Sequence, residues 1–164
     1  MGRRWVSGFA LSVYLVVVLR YVLFKVPGAW QMVLGGTERP PLEFRLQWSN
    51  FVPFRTILNY LSGNAGMGVA LQNLLGNIVL FVPMGILVPL VFPGLRRLPR
   101  IAGTALGTSL ALEAFQLFTG LGIFDIDDLV LNVSGAVVGA VAYHVLRRYS
   151  TGTGGTRDRS AAER

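Results

Sequence analysis

Four long apolar stretches constrain this chain more than any other feature: about residues 5–24, 69–92, 101–118 and 126–146. Each approaches the length of about 20 residues that a helix needs to cross the hydrocarbon core of a bilayer. In lipid the backbone must satisfy its own polar groups, so such runs are expected to be helical. The first run follows Arg3 and Arg4 much as a signal peptide would. It continues through Val16, Val17, Val18 and Leu19 with no small-residue cleavage pattern after it, so it reads as a retained span. The third run, interrupted by Glu113 and Gln116, is the least apolar of the four. Composition agrees with a membrane protein. The 164 residues are 52% hydrophobic and 14% charged, with a mean hydropathy of +0.55, more apolar than a soluble domain requires.

The formal charge of +7 is explained by position. Arg3 and Arg4 precede the first run, Arg96, Arg97 and Arg100 separate the second from the third, and Arg147 and Arg148 follow the fourth. With four spans these places share one side, which the positive-inside rule makes cytoplasmic together with both termini. Arginines that flank spans account for the basic balance, and no nucleic-acid partner is expected. The absence of cysteine excludes disulfides and thiolate metal sites. Residues 1–149 are read as one transmembrane domain, and the Gly-, Thr- and charge-rich segment 150–164 as a disordered cytoplasmic tail.

The opposite side receives a long loop, about residues 26–68, and a tight turn near 119–125. Trp30 and Trp48 are candidate interface anchors, Pro40 and Pro41 break the loop, and SNFVPFRTILNY is its dense apolar patch. A short helix lying on the membrane is expected after Pro53. Folding this segment back over the bundle would bury Phe51, Phe54 and Ile57 and bring Arg55 in as a counter-charge.

Helical spacing gathers the remaining polar residues. Asn73 and Asn77 share one face of the second span, Glu113 and Gln116 lie close on the third, and Asp128 and Asn132 share a face of the fourth that continues as Gly135, Gly139 and Ala142. A polar stripe inside a span faces protein, because toward lipid it would go unsatisfied. The expectation is one shared site just below the outer surface, with Asp125 and Asp127 at its rim.

The run NFVPFRTI, then NLLGNIVLFVPMGILVPL from Asn73, the Glu113 and Gln116 pair, and finally FDIDDLVLNVSGAVVG together resemble the VanZ-like family of small membrane proteins. The ordered blocks cover most of the chain beyond the first span and before the tail. The family pattern matches at Asn50, Pro53, Phe54, Asn73, Asn77, Phe81, Pro83, Gly85, Glu113, Gln116, Asp125, Asp128, Asn132 and Gly135. It departs at Gly122, where the pattern commonly carries an arginine. The resemblance implies a multi-span bacterial membrane protein with a role at the cell envelope, and a contribution to resistance against teicoplanin-type glycopeptides.

Two kinds of chemistry fit these residues. In the first, Asn50, Arg55, Asn73, Asn77, Glu113, Gln116, Asp125, Asp128 and Asn132 form a pocket that binds the head group of an envelope lipid or an amphiphilic antibiotic. In the second, Glu113 and Asp128 serve as acid and base, with or without a divalent cation, on a lipid-linked phosphate or glycoside. No nucleophile, G-x-S-x-G, metal-binding histidine pair or phosphate loop stands out. No metal site is assigned and no cofactor is named. Plainer roles are open to each residue. Intramembrane Asn is worth about 1 kcal/mol as interhelical glue, and acids at a helix start complement its dipole or cap it. The GxxxG patterns Gly103/Gly107 and Gly135/Gly139 read as packing devices, Arg20 and Lys25 as snorkelling cations, and His144 as an interfacial residue remote from the acids. Glu113 is the hardest to dismiss, since a carboxylate within a span costs about 3 kcal/mol or more.

Overall fold

The computed structural model describes residues 2–23, 31, 34–35, 38–63 and 66–152, with side chains from 5–21, 31, 34–35, 38–63 and 66–149. Trp30, Lys25 and the tail beyond 152 therefore lie outside the described residues. The helices whose bounds are described follow in order: α1 (Gly2–Leu23), α2 (Leu42–Trp48), α3 (Arg55–Leu61), α4 (Met67–Val91), α5 (Leu98–Thr119) and α6 (Ile126–Gly152). A 3-10 turn, Pro93–Leu95, joins α4 to α5. Among the described residues the chain is all helical apart from one isolated parallel bridge between Asn50 and Asp125. Three helices, Met67–Val91, Leu98–Thr119 and Ile126–Tyr149, are long and apolar enough to cross a membrane, and Trp5–Tyr21 is a shorter apolar helix. The last helix runs to Gly152, so residues 150–152, expected in a disordered tail, continue it instead. Nothing helix-breaking stands between Leu146 and Ser150, and a formed helix adds one hydrogen bond per further residue.

The long helices begin and end where their sequences dictate. Pro99 occupies the first turn of α5, where a missing N–H costs nothing. Gly120, at φ 77°, ends α5 by donating its N–H to the Gln116 carbonyl at 3.0 Å, a left-handed cap that glycine adopts without strain. Pro93 cannot donate to the Pro89 carbonyl four residues back, and Arg96 Nε reaches that oxygen instead at 3.3 Å. Pro83 similarly deprives the Val79 carbonyl of its helical donor. The helix stays continuous, and Tyr14 of α1 donates its hydroxyl to the neighbouring Leu80 carbonyl at 2.9 Å.

α4 and α6 form the most extensive helix pair, with α5 and α1 packed alongside. Their approach depends on three glycines. A Cβ on Gly85 would fall onto the Ala136 carbonyl oxygen, one on Gly135 onto that of Ile78, and one on Gly139 onto that of Val82. Small residues that let backbones touch are the usual device of membrane helix pairs. Phe81, Met84 and Val88 of α4 fill the core against Ala105, Ala136 and the α1 residues Leu11 and Val18. The outer faces, including Leu75 and Val79 of α4, Leu106 and Leu110 of α5, and Val138 and Val141 of α6, are apolar and exposed, as a bundle presents itself to hydrocarbon. The GxxxG on α5 differs from that on α6: among the described residues nothing lies within 4 Å of a Cβ placed on Gly103 or Gly107, so this pair packs against none of the described helices.

Gly135→Ala and Gly139→Ala should each destabilise the protein by about 1–3 kcal/mol, the usual cost of overpacking a close contact. Gly103→Ala, built into open space, should be neutral or up to about 1 kcal/mol stabilising from helix propensity. Thermal unfolding followed by circular dichroism in detergent would separate the two classes, and identical midpoints would refute the close packing.

Candidate functional site

At the end of the bundle where α5 stops and α6 starts, the loop segment 49–57 is laced to residues 124–127. Asn50 N–H donates to the Phe124 carbonyl at 2.8 Å, and Ile126 N–H to the Asn50 carbonyl at 2.9 Å. Phe124 N–H donates to Ser49 Oγ at 3.0 Å, and the Phe51 and Phe124 rings stack with centroids 5.2 Å apart. α3 begins without a side-chain cap of its own, and its entry residue Phe54 has φ 67°. Among the described residues it is the only non-glycine with a positive φ, a conformation that persists in a bulky residue only when its surroundings impose it.

Asp127 imposes it. Its carboxylate, 0% exposed, accepts the N–H of Phe54 at 2.5 Å, of Thr56 at 2.7 Å and of Ile57 at 3.1 Å. These amides form the uncapped start of α3, and the aspartate from the first turn of α6 supplies the acceptor that the loop lacks. Hydrogen bonds to a charged group contribute about 1.5–3 kcal/mol each, enough together to hold the strained turn. The sequence places Asp127 at the rim, but the residue is buried, because its three partners come from a segment folded over it. The fold-back itself is present, but Phe51 and Phe54 remain exposed and Ile57 only half-buried. Hydrogen bonding to Asp127, rather than aromatic burial, fastens the loop.

Asp125 caps α6, with Oδ1 accepting the Asp127 N–H at 2.9 Å. The same carboxylate accepts Asn50 Nδ2 at 2.9 Å and Thr56 Oγ1 at 2.7 Å. Glu113, 4% exposed, accepts the Asp125 N–H at 2.9 Å through Oε2, so this buried acid supports the turn from below. Asp128 accepts the side-chain amide of Asn77 through Oδ1. Asn132, one turn further along α6, instead donates to Ser109 Oγ of α5 at 2.8 Å. Its Oδ1 is buried without a partner among the described residues. Asn73 donates to the Val69 carbonyl of its own helix at 2.9 Å.

A cavity of about 350 Å³ opens among these elements. Asp125, Asp128, Gln116 and Asn73 line it with Gln72, Thr56 and the turn at Gly122 and Ile123, and Tyr21 of α1 and Tyr60 of α3 close its sides. The expected cluster is therefore divided. Asp125, Asp128, Gln116 and Asn73 share the cavity, while Asn77 and Asn50 hold its acids from behind. Glu113 stands behind the wall and Asn132 belongs to a separate pair with Ser109. Arg55 is exposed and lines a different cavity of about 940 Å³ on the other side of the α3 start, with Trp48 and Asn59. Among the described residues no group of three or more His, Cys, Asp or Glu side chains is placed to hold a metal ion.

Sequence reasoning missed the Asp127 clamp, Ser109, and Arg45, whose Nη1 donates to the Leu117 carbonyl at the end of α5. The clamp had a legible signal. A helix starting after Pro53 has no Ser, Thr, Asp or Asn at its N-cap, Phe54, so a remote acceptor was required.

The VanZ/LLP1 family matches residues 11–147. Protein VanZ of Enterococcus faecium is 26% identical over 149 residues, covering 91% of this chain and 80% of its own length. No solved structure matches.

Asp127→Asn should turn an NH₂ group toward amides that need an acceptor. Exchange of the amide protons at residues 54–57 should accelerate by at least about tenfold, the equivalent of one charge-assisted hydrogen bond. Unchanged protection in hydrogen–deuterium exchange would exclude the clamp.

Proposed function

Because the chain belongs to the VanZ/LLP1 family, we propose that it works at the cell envelope by binding the polar part of an envelope lipid or amphiphilic antibiotic in the Asp128 cavity, and that it contributes to resistance against teicoplanin-type glycopeptides. The observation that carries this reading is the cavity itself. Residues from five helices and the α5–α6 turn converge on it, with two carboxylates and three amides at its wall. A concave site with a few convergent polar groups is where a small ligand or head group binds. Its acids are already oriented: Asp125 by Asn50 and Thr56, Asp128 by Asn77. Orientation fixed before binding lowers the entropic cost of capture.

In the proposed topology α1, α4, α5 and α6 cross the cell membrane, with both termini and the Arg96–Arg100 linker cytoplasmic. The cavity then opens outward, and α2 and α3 lie at the outer interface, where exposed Phe44, Trp48, Leu58 and Leu61 meet the head-group region. The chain lacks cysteine, so single replacements report without background. In intact cells Glu38→Cys should react with a membrane-impermeant maleimide, whereas Gly94→Cys should react only after permeabilisation. The reverse pattern would overturn the orientation.

The enzymatic alternative asks Glu113 and Asp128 to face one substrate. Glu113 holds a backbone amide of the turn instead, which favours binding over catalysis. Asp128→Asn and Gln116→Leu should lower teicoplanin resistance at least fourfold in a host carrying the gene, at unchanged protein abundance in the membrane. Normal resistance in both variants at normal abundance would remove the cavity from the function.

A further inference from the structure

We propose that the cleft between α2 and α3 binds the phosphate of an anionic glycerophospholipid of the outer leaflet, with Arg55 as the cation that receives it. The site is separate from the Asp128 cavity, and it rests only on the placement of α2 and α3 at the outer interface. The cleft, of about 940 Å³, is lined by Gln47 and Trp48 at the end of α2 and by Arg55, Leu58, Asn59 and Ser62 along α3 and its cap. Arg55, Asn59 and Ser62 follow one another at intervals of four and three residues, so they share one helix face.

This wall has donors to spare and no negative charge. The Arg55 guanidinium, the Gln47 side-chain amide and the Trp48 indole N–H line it, and none of the three has a protein acceptor among the described residues. No Asp or Glu is among the described lining residues. Asp125 and Asp127 stand behind the wall with their oxygens committed, Asp127 to the amides of Phe54, Thr56 and Ile57 and Asp125 to Asn50 and Thr56. A phosphate entering the cleft therefore meets an arginine whose planar fork of donors matches its oxygens. A cation entering the same space would meet like charge and no carboxylate on the wall, so charge complementarity selects the anion.

The apolar part of the wall indicates that the phosphate arrives on a lipid. Trp48 is 63% and Leu58 62% exposed, and Phe44 and Leu61 are exposed on the same two helices. Tryptophan settles at the level of the head groups, and an arginine there lays its stem on apolar surface while its charge reaches the phosphates. About 940 Å³ is at the large end of small-molecule sites, more than a phosphate alone requires and enough for a head group with the start of its chains. The Asp127 clamp sets the direction of the charge. Because the Thr56 and Ile57 amides are fixed on that carboxylate, α3 is held against rotation with Arg55 on the α2 side.

The chain has three tryptophans, so Trp5→Phe with Trp30→Phe leaves Trp48 as a reporter inside the cleft. The test titrates this full-length protein, in uncharged detergent micelles, with dihexanoylphosphatidylglycerol, with dihexanoylglycerol, which lacks the phosphate, and with glycerophosphoglycerol, which lacks the chains. Trp48 emission should saturate with the first probe at a concentration at least about fivefold below the other two. Arg55→Gln, at an exposed position, should weaken that binding at least about fivefold, the upper worth of one exposed ion pair, with the circular dichroism spectrum unchanged. Arg55→Lys should retain part of it, and Asp128→Asn should leave the Trp48 titration as it was. Equal affinity for dihexanoylglycerol would overturn the phosphate assignment, and equal affinity for glycerophosphoglycerol would overturn the lipid source. An unchanged titration in Arg55→Gln would remove the site. Weakening in Asp128→Asn but not in Arg55→Gln would assign the lipid to the other cavity, which refutes this proposal and leaves the cavity reading standing; weakening in Arg55→Gln alone supports the cleft whatever becomes of the cavity.

Discussion

One buried carboxylate organises the end of the bundle where α5 stops and α6 starts. Asp127 accepts three backbone amides from the start of α3 and thereby joins a loop to the first turn of a long helix. Without it, three N–H groups would be orphaned where water is scarce, and the left-handed Phe54 would have no reason to persist. The clamp also sets the position of Thr56, which bonds Asp125 on the cavity side.

A second constraint fixes the depth at which the acids sit. Contact between the α4 and α6 backbones at Gly85, Gly135 and Gly139 leaves little freedom for one helix to slide along the other. Asn77 adjoins Ile78, whose carbonyl meets Gly135, so the register of the Asn77–Asp128 pair is inherited from the packing. Asn132 meets Ser109 on α5 for the same reason: once α6 is docked on α4, its next polar residue faces the third helix. Dispersion at close range and hydrogen bonds across helices therefore act in the same direction.

The division of charge across the α3 start follows from these two constraints. Arg55 and the acids are near in sequence pattern but separated by a helix start whose Phe54, Thr56 and Ile57 amides are directed at Asp127. A site that sequence spacing suggests is a single amide-and-acid cluster with an arginine over it is, in three dimensions, an acidic cavity with its supporting shell. Glu113 and Asn77 belong to that shell, hydrogen-bonded to the Asp125 N–H and to the Asp128 carboxylate.

Residue pattern alone determined a good deal. Apolar runs of the length of a bilayer defined the long helices, Pro53 marked the start of α3, and the spacing of Asn77, Glu113, Gln116 and Asp128 placed them on inward faces, because a polar group in lipid has no other place to go. The pattern also found both glycine pairs. It could not say that Gly135 and Gly139 meet a neighbouring backbone while Gly103 and Gly107 meet none among the described residues, since identical spacing serves either face. Nor could it assign partners to Asp125, Asp127 and Asp128. Successive helical residues turn by about 100°, so these acids point in different directions. Which one caps α6, which captures α3 and which lines the cavity was decided only by the tertiary structure, because packing determines the neighbour that each carboxylate meets.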